Sequence, residues 1–85
     1  MLPPFDLSVP SDTRYRPLAG EAAAKYAELA GRPADAAKAF GAEVDEATVR
    51  MARPDENIDV KFVTNEQSVG ATLACGDQSA TLKTR

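Results

Sequence analysis

The chain has no histidine, no tryptophan and one cysteine, and each shortage removes a class of chemistry. Without imidazole or paired thiolates there is no transition-metal site of the usual nitrogen and sulfur ligands, and no Ser/His or Cys/His nucleophilic pair. Cys75 cannot form an intramolecular disulfide, and its place in an apolar alternating segment predicts a buried thiol. Basic runs are lacking too. The charges are scattered and sum to −3, so no cluster of Lys and Arg is available for phosphate contacts, and no nucleic-acid partner is expected. No segment approaches the roughly 18 apolar residues of a membrane span. The opening "MLPPFDLSVP" lacks the basic start and unbroken apolar run of a signal peptide, so no membrane partner is expected and the bacterial cytoplasm is the expected location. Carboxylates, hydroxyls, Lys and Arg are left to carry any function.

Eighty-five residues make one domain, residues 1–85, with a thin core. Three phenylalanines and two tyrosines supply little aromatic volume, so alanine-rich segments must approach closely to fill the interior. Phe5, Leu7 and Val9 alternate with Asp6 and Ser8, which predicts a short strand closed by Pro10. Ser11, Asp12 and Thr13 offer N-cap oxygens for a helix that ends at Gly31. Its apolar stripe reads Tyr15, Leu18, Ala19, Ala22, Tyr26, Leu29 and Ala30, with Pro17 either in the first turn or disturbing it. Pro33 opens a second helix as a first-turn proline, and Ala37, Phe40, Val44, Ala47 and Met51 form its buried stripe.

After a turn over Pro54 to Asn57, Ile58, Val60 and Phe62 alternate with polar residues, and Asn65 to Gln67 supply a loop. Val69, Ala71, Leu73 and Cys75 alternate again. A tight turn at Gly76 and Asp77 leads to Ala80 and Leu82 in a further strand. The order β-α-α-β-β, with a possible fourth strand, implies an α+β two-layer sandwich with both helices on one face of a mainly antiparallel sheet.

The segments "LSVPSDTRYRPL", "AELAG", "VDEA" and "IDVKF" resemble the anti-sigma-factor serine kinases of the histidine-kinase-like ATPase superfamily, the Bergerat fold. The likeness runs from Phe5 to about Asp77 and covers the first part of a family domain. In that family the second helix carries a glutamate base and, four residues later, an asparagine that ligates the magnesium of ATP. Glu46 falls on the glutamate position, but Arg50 falls on the asparagine position, where a guanidinium offers donors and positive charge instead of an oxygen ligand. Asp77 is the nearest candidate for the family's adenine-contacting aspartate, with Ser79 and Thr81 where glycines would follow.

The resemblance therefore implies a degenerate ATP site and a non-catalytic, protein-binding regulatory module in bacterial signalling or transcription control. It would have no cofactor or metal, a sigma factor or antagonist as partner, and a tendency to homodimerise through an uncovered sheet edge. Two alternatives stand beside it. One is an ATP-binding serine kinase or ATPase using Mg-ATP, with Glu46 as base and Asp77 and Arg50 at the nucleotide. The other is a small structural, oligomerising domain. The residues themselves offer a simpler account of Glu46 and Arg50, which are spaced i and i+4 with Glu43 beside them and are expected to form a solvated ion-pair stripe.

Overall fold

A computed structural model describes residues 2–65 and 68–84. Strand β1 (Phe5–Pro10) is followed by helices α1 (Pro17–Leu29) and α2 (Ala34–Met51) and by strands β2 (Asn57–Thr64), β3 (Val69–Cys75) and β4 (Gln78–Lys83). The strands form one antiparallel sheet in the order β1-β2-β3-β4. Both helices cover one face of that sheet, α1 over β1 and β2 and α2 over β3 and β4. The expected α+β sandwich is present, including the fourth strand. Of the loop expected at Asn65 to Gln67, Glu66 and Gln67 lie outside the described residues. Across it, the Asn65 N–H donates to the Ser68 carbonyl at 3.0 Å.

Register explains which face is dry. Leu7 opposes Val60, and Val60 opposes Leu73. Leu73 in turn opposes Ala80, so this row of helix-facing side chains, like that of Phe5, Phe62, Ala71 and Leu82, is apolar across all four strands. The alternate rows, such as Asp6, Lys61, Thr72 and Thr81, face away from the helices and are exposed. Phe62 is the centre of the dry face. Its ring stacks on Phe5 at 6.2 Å and on Tyr26 at 5.5 Å, and meets Phe40 edge-on at 6.5 Å. The Tyr26 hydroxyl donates to the Pro3 carbonyl and accepts from Thr64 Oγ1, each at 3.0 Å, tying the leading segment to α1 and β2.

The two helices touch through their smallest residues. A Cβ placed on Gly41 would stand 2.7 Å from the Gly20 carbonyl oxygen, and one on Gly20 would stand 2.8 Å from that of Gly41. Neither position admits a side chain while the backbones keep this separation. In the hairpin from β3 to β4, Gly76 takes φ +60° as the first of two central residues, the place that type II′ turns reserve for glycine.

Several local expectations are corrected. Ser11, Asp12 and Thr13 do not cap α1, whose N-cap position is Arg16 without a side-chain bond. Asp12 instead builds the turn before the helix. Its carboxylate accepts from the Arg14 N–H at 2.8 Å, and its carbonyl accepts from Tyr15 and Arg16 N–H, both at 3.0 Å. Pro33 stands at the N-cap of α2, one position before the first turn. The buried stripe of α2 is as expected, but that of α1 is not. Ala19, Gly20, Ala23, Tyr26 and Ala27 face inward, while Tyr15, Leu18 and Leu29 face solvent. Close contact with α2 requires small residues at the helix crossing, and this rotates the bulky aliphatic residues outward.

Two measurements test this core. At an ordinary helical site Gly→Ala gains about 1 kcal/mol, but the clash at Gly41 should reverse the sign. Gly41→Ala is expected to lose about 1 kcal/mol net from overpacking, seen as a Tm lowered by about 5 °C, whereas a raised Tm would mean that the helices separate readily. Phe40→Ala removes a side chain that is 1% exposed. It should cost about 3 to 5 kcal/mol, most of what a small domain possesses. A cooperative denaturant melt near that of wild type would place Phe40 outside the core.

Candidate functional site

The residues matched to the ATP-site positions do not converge. Glu46 and Arg50 are exposed on α2, outside its buried stripe. Among the described residues neither takes part in an ion pair, so the expected stripe of Glu46, Arg50 and Glu43 does not form. Long, solvated side chains lose rotamer freedom on pairing and gain little in water, which favours their separation. Asp77 lies in the β3–β4 turn, where its carboxylate meets Arg53 Nη2 at 3.4 Å. Arg53 follows the end of α2, and Glu46 lies about 7.5 Å back along the helix axis from that end. The turn at Gly76 and Asp77, expected from sequence, thus places Asp77 beside a cation instead of beside Glu46.

Arg53 belongs to a polar clasp joining three loops at one end of the sheet. The Ser11 hydroxyl donates to the Glu56 carbonyl at 2.7 Å and accepts from the Arg53 N–H at 3.4 Å, with Cys75 Sγ 4.0 Å away. With the Gln78 amide turned so that its oxygen faces the guanidinium, the orientation that satisfies both groups, Oε1 accepts from Arg53 Nε at 3.0 Å and Nη2 at 2.8 Å. A hollow of about 650 Å³ opens beside the clasp, lined by Ser11, Asp12, Thr13, Arg53, Asp55 and Glu56 among others. Its charged groups are already engaged in part. Arg53 is held by Asp77 and Gln78, and Asp12 by Arg14 at 2.9 Å. The Arg14 hydrogen bonds hold the Asp12 carboxyl below the usual carboxylate range, so their stabilisation is present while the carboxylate is ionised and is lost as falling pH protonates it. The hollow is a solvated junction. Among the described residues no three His, Cys, Asp or Glu side chains gather where a metal ion could sit.

The opposite kind of surface lies along the outer edge of β1 and α1. Phe5 is 47% exposed, Leu18 48% and Leu29 63%, and with Ala22, Lys25 and Tyr26 they border one edge of the molecule. Phe5, Ala22, Lys25, Tyr26 and Leu29 line a shallow hollow of about 230 Å³ with almost no polar surface. Strand β1 has no described neighbour on this side, so its outward backbone groups are also open. Scattered exposed aliphatics are ordinary, but this strip is contiguous and lies beside an open strand edge, which makes it the candidate surface for contact with another molecule. Sequence reasoning placed Leu18 and Leu29 in the core because they share the spacing of a buried stripe. The missed signal was Gly20 with Gly41, the pair that sets the rotation of α1.

No helix among the described residues is long and apolar enough to cross a membrane. Compared with protein-family models, with curated proteins and with solved structures, the chain has no match.

The separation of Glu46 and Arg50 can be checked by a double-mutant cycle on Glu46→Ala and Arg50→Ala. The expected coupling is below the few tenths of a kcal/mol, about 0.3, that an i,i+4 pair contributes. A larger coupling would mean that the pair forms in solution.

Proposed function

We propose that this chain is a non-catalytic protein-binding module of bacterial signalling or transcription control, as its resemblance to the anti-sigma-factor serine kinases implies, with the β1–α1 edge as its working surface. The observation that carries the proposal is the exposure of Phe5, Leu18 and Leu29 on one edge, contiguous with an open strand. The partner is a protein, with a sigma factor, an antagonist or a second copy as the classes in play. Against the kinase alternative stands the scatter of its candidate residues. Glu46 and Arg50 are solvated on α2, and Asp77 is engaged by Arg53. ATP brings roughly four negative charges, and a lone exposed guanidinium attracts phosphate only weakly and in a salt-sensitive way.

Calorimetric titration with Mg-ATP is the test. No saturable micromolar heat is expected, and Glu46→Ala and Asp77→Ala should leave the trace unchanged. In parallel, a protein retained by the immobilised chain from host extract should be lost with a Leu29→Glu bait and kept with a Glu46→Ala bait. A saturable Mg-ATP signal abolished by Glu46→Ala or Asp77→Ala would overturn the proposal and promote the kinase.

A further inference from the structure

The backbone of β1 is open at fixed places. The Asn65 N–H donates to the Ser68 carbonyl, so residues 65 and 68 form a hydrogen-bonded pair at the end of the β2–β3 ladder. Such pairs recur at every second residue, which gives Val63 with Gly70, Lys61 with Thr72 and Asp59 with Ala74. The residues between them, Phe62, Val60 and Ile58, then turn their backbone groups the other way and bond with Phe5, Leu7 and Val9 of β1. Asp6 and Ser8 are left with N–H and C=O directed away from the sheet. Pro10 shares their parity and stands where no N–H is used, as does Pro4 just before the strand. The two prolines blunt the ends of this edge and leave between them a slot from Phe5 to Val9.

A socket for one side chain lies in line with the slot. Phe5 ends the helix-facing row of Phe62, Ala71 and Leu82, and a residue opposite Phe5 on an added strand would extend that row outward. There the hollow of about 230 Å³ opens, between Ala22 and Leu29 of α1 and the Phe5 ring. It is smaller than the pockets of about 300 Å³ and upward that hold small-molecule ligands, and its nearly unbroken apolar lining suits a single large aliphatic side chain. Chain direction reverses between β1 and α1, since Tyr26 bonds Pro3 while Pro10 leads toward Pro17. Leu18 therefore lies over the Leu7 to Val9 half of the slot, where a second apolar residue of the added strand belongs.

Charge sets the rest of the occupant. Lys25 borders the hollow, and neither it nor Asp6 takes part in an ion pair among the described residues. Asp6 lies on the opposite face of the sheet from Phe5, so a strand residue across from its carboxylate is favoured when basic. Beyond the hollow, at the Pro3 end, the next helix-facing residue comes beside the Lys25 ammonium and is favoured when acidic.

We infer that the β1–α1 edge takes an extended segment of a partner protein as an added antiparallel strand, with apolar, basic, large apolar and acidic residues opposite Leu7, Asp6, Phe5 and Pro3 in turn. Main-chain hydrogen bonds to Asp6 and Ser8 hold the segment, and the hollow selects the residue opposite Phe5. A helix in the same place has no backbone groups free for Asp6 and Ser8. The inference rests on the reading of this edge as the protein-binding surface.

The test is fluorescence anisotropy with the labelled, end-blocked peptide VTVKLTE, titrated with the full chain. Saturable binding with a Kd below about 1 mM is expected, and the peptide with aspartate for leucine should bind at least about tenfold more weakly. Leu29→Glu should weaken binding as much. Lys25→Glu should weaken it too, and a peptide with lysine for its glutamate should restore it, a rescue that a purely structural role would not give. Ser8→Pro removes an outward N–H but no bond to β2, so it should abolish binding while the circular-dichroism spectrum stays folded. Thr81→Pro makes the same change on β4, where the Thr84 N–H bond to the Val69 carbonyl puts Thr81 on the outward parity, and should leave binding unchanged. Absence of saturable binding up to about 1 mM overturns the inference, as does binding indifferent to Ser8→Pro or a charge swap that fails to restore it. A wild-type chain that sediments as a dimer and that the peptide does not dissociate gives the edge to a second copy and overturns it as well. A captured protein that the Leu29→Glu bait loses, with no peptide binding, would refute the added strand and leave the binding module standing, whereas Mg-ATP binding would refute the module itself.

Discussion

The approach of α1 to α2 at Gly20 and Gly41 is the constraint on which the helix layer depends. With no side chain between the backbones at that point, the helices lie close enough for one sheet of four short strands to be covered by two helices. The same contact fixes the rotation of α1 about its axis, because only its small-residue face can lie against α2. Tyr26 is thereby aimed at Phe62, and Phe40 reaches the same ring from α2. A chain poor in aromatics thus gathers four of its five rings, those of Phe5, Tyr26, Phe40 and Phe62, into one cluster. The alanine-rich remainder of the interior is filled by proximity instead of bulk.

How much was legible from sequence follows from the same contact. The strands were readable because alternation assigns faces directly, and each predicted inward residue from Ile58 to Cys75 is buried. Helix α2 was readable because Phe40, Val44 and Met51 are large and sit on one stripe. Helix α1 was legible only in part because its inward side is built from alanine and glycine, so the few large residues dominate the periodicity. They mark the surface. In an alanine-rich helix packed against a glycine, the spacing of leucines says less about burial than the position of the smallest residues. The cap of α1 failed for a different reason. Asp12 has a short carboxylate that can satisfy either a helix start or a local turn, and Arg14 two residues later favours the turn.

The resemblance to a nucleotide-binding family drew attention to Glu46, Arg50 and Asp77, and spacing alone did not reveal that they stand apart. Linear motifs give the axial position of a residue on its helix but not what a later turn brings near it. Here the two-residue turn at Gly76 and Asp77 delivers a carboxylate to Arg53, which comes from the α2–β2 connection. Three connections therefore meet at one end of the sheet in a polar clasp, while the apolar strip runs along a side. A polar junction and an exposed apolar flank occupy different parts of a very small surface.

The clasp has a practical corollary for Cys75. The only thiol in the chain is 1% exposed at the end of β3, with the Ser11 hydroxyl above it. A thiol reagent can reach it only after the Ser11 loop or the end of β3 has moved, so the rate at which a colorimetric disulfide reagent consumes the thiol reports the opening frequency of that end of the molecule. The protein carries its own single-site clock for local unfolding, with no label to introduce and no second cysteine to confuse the count.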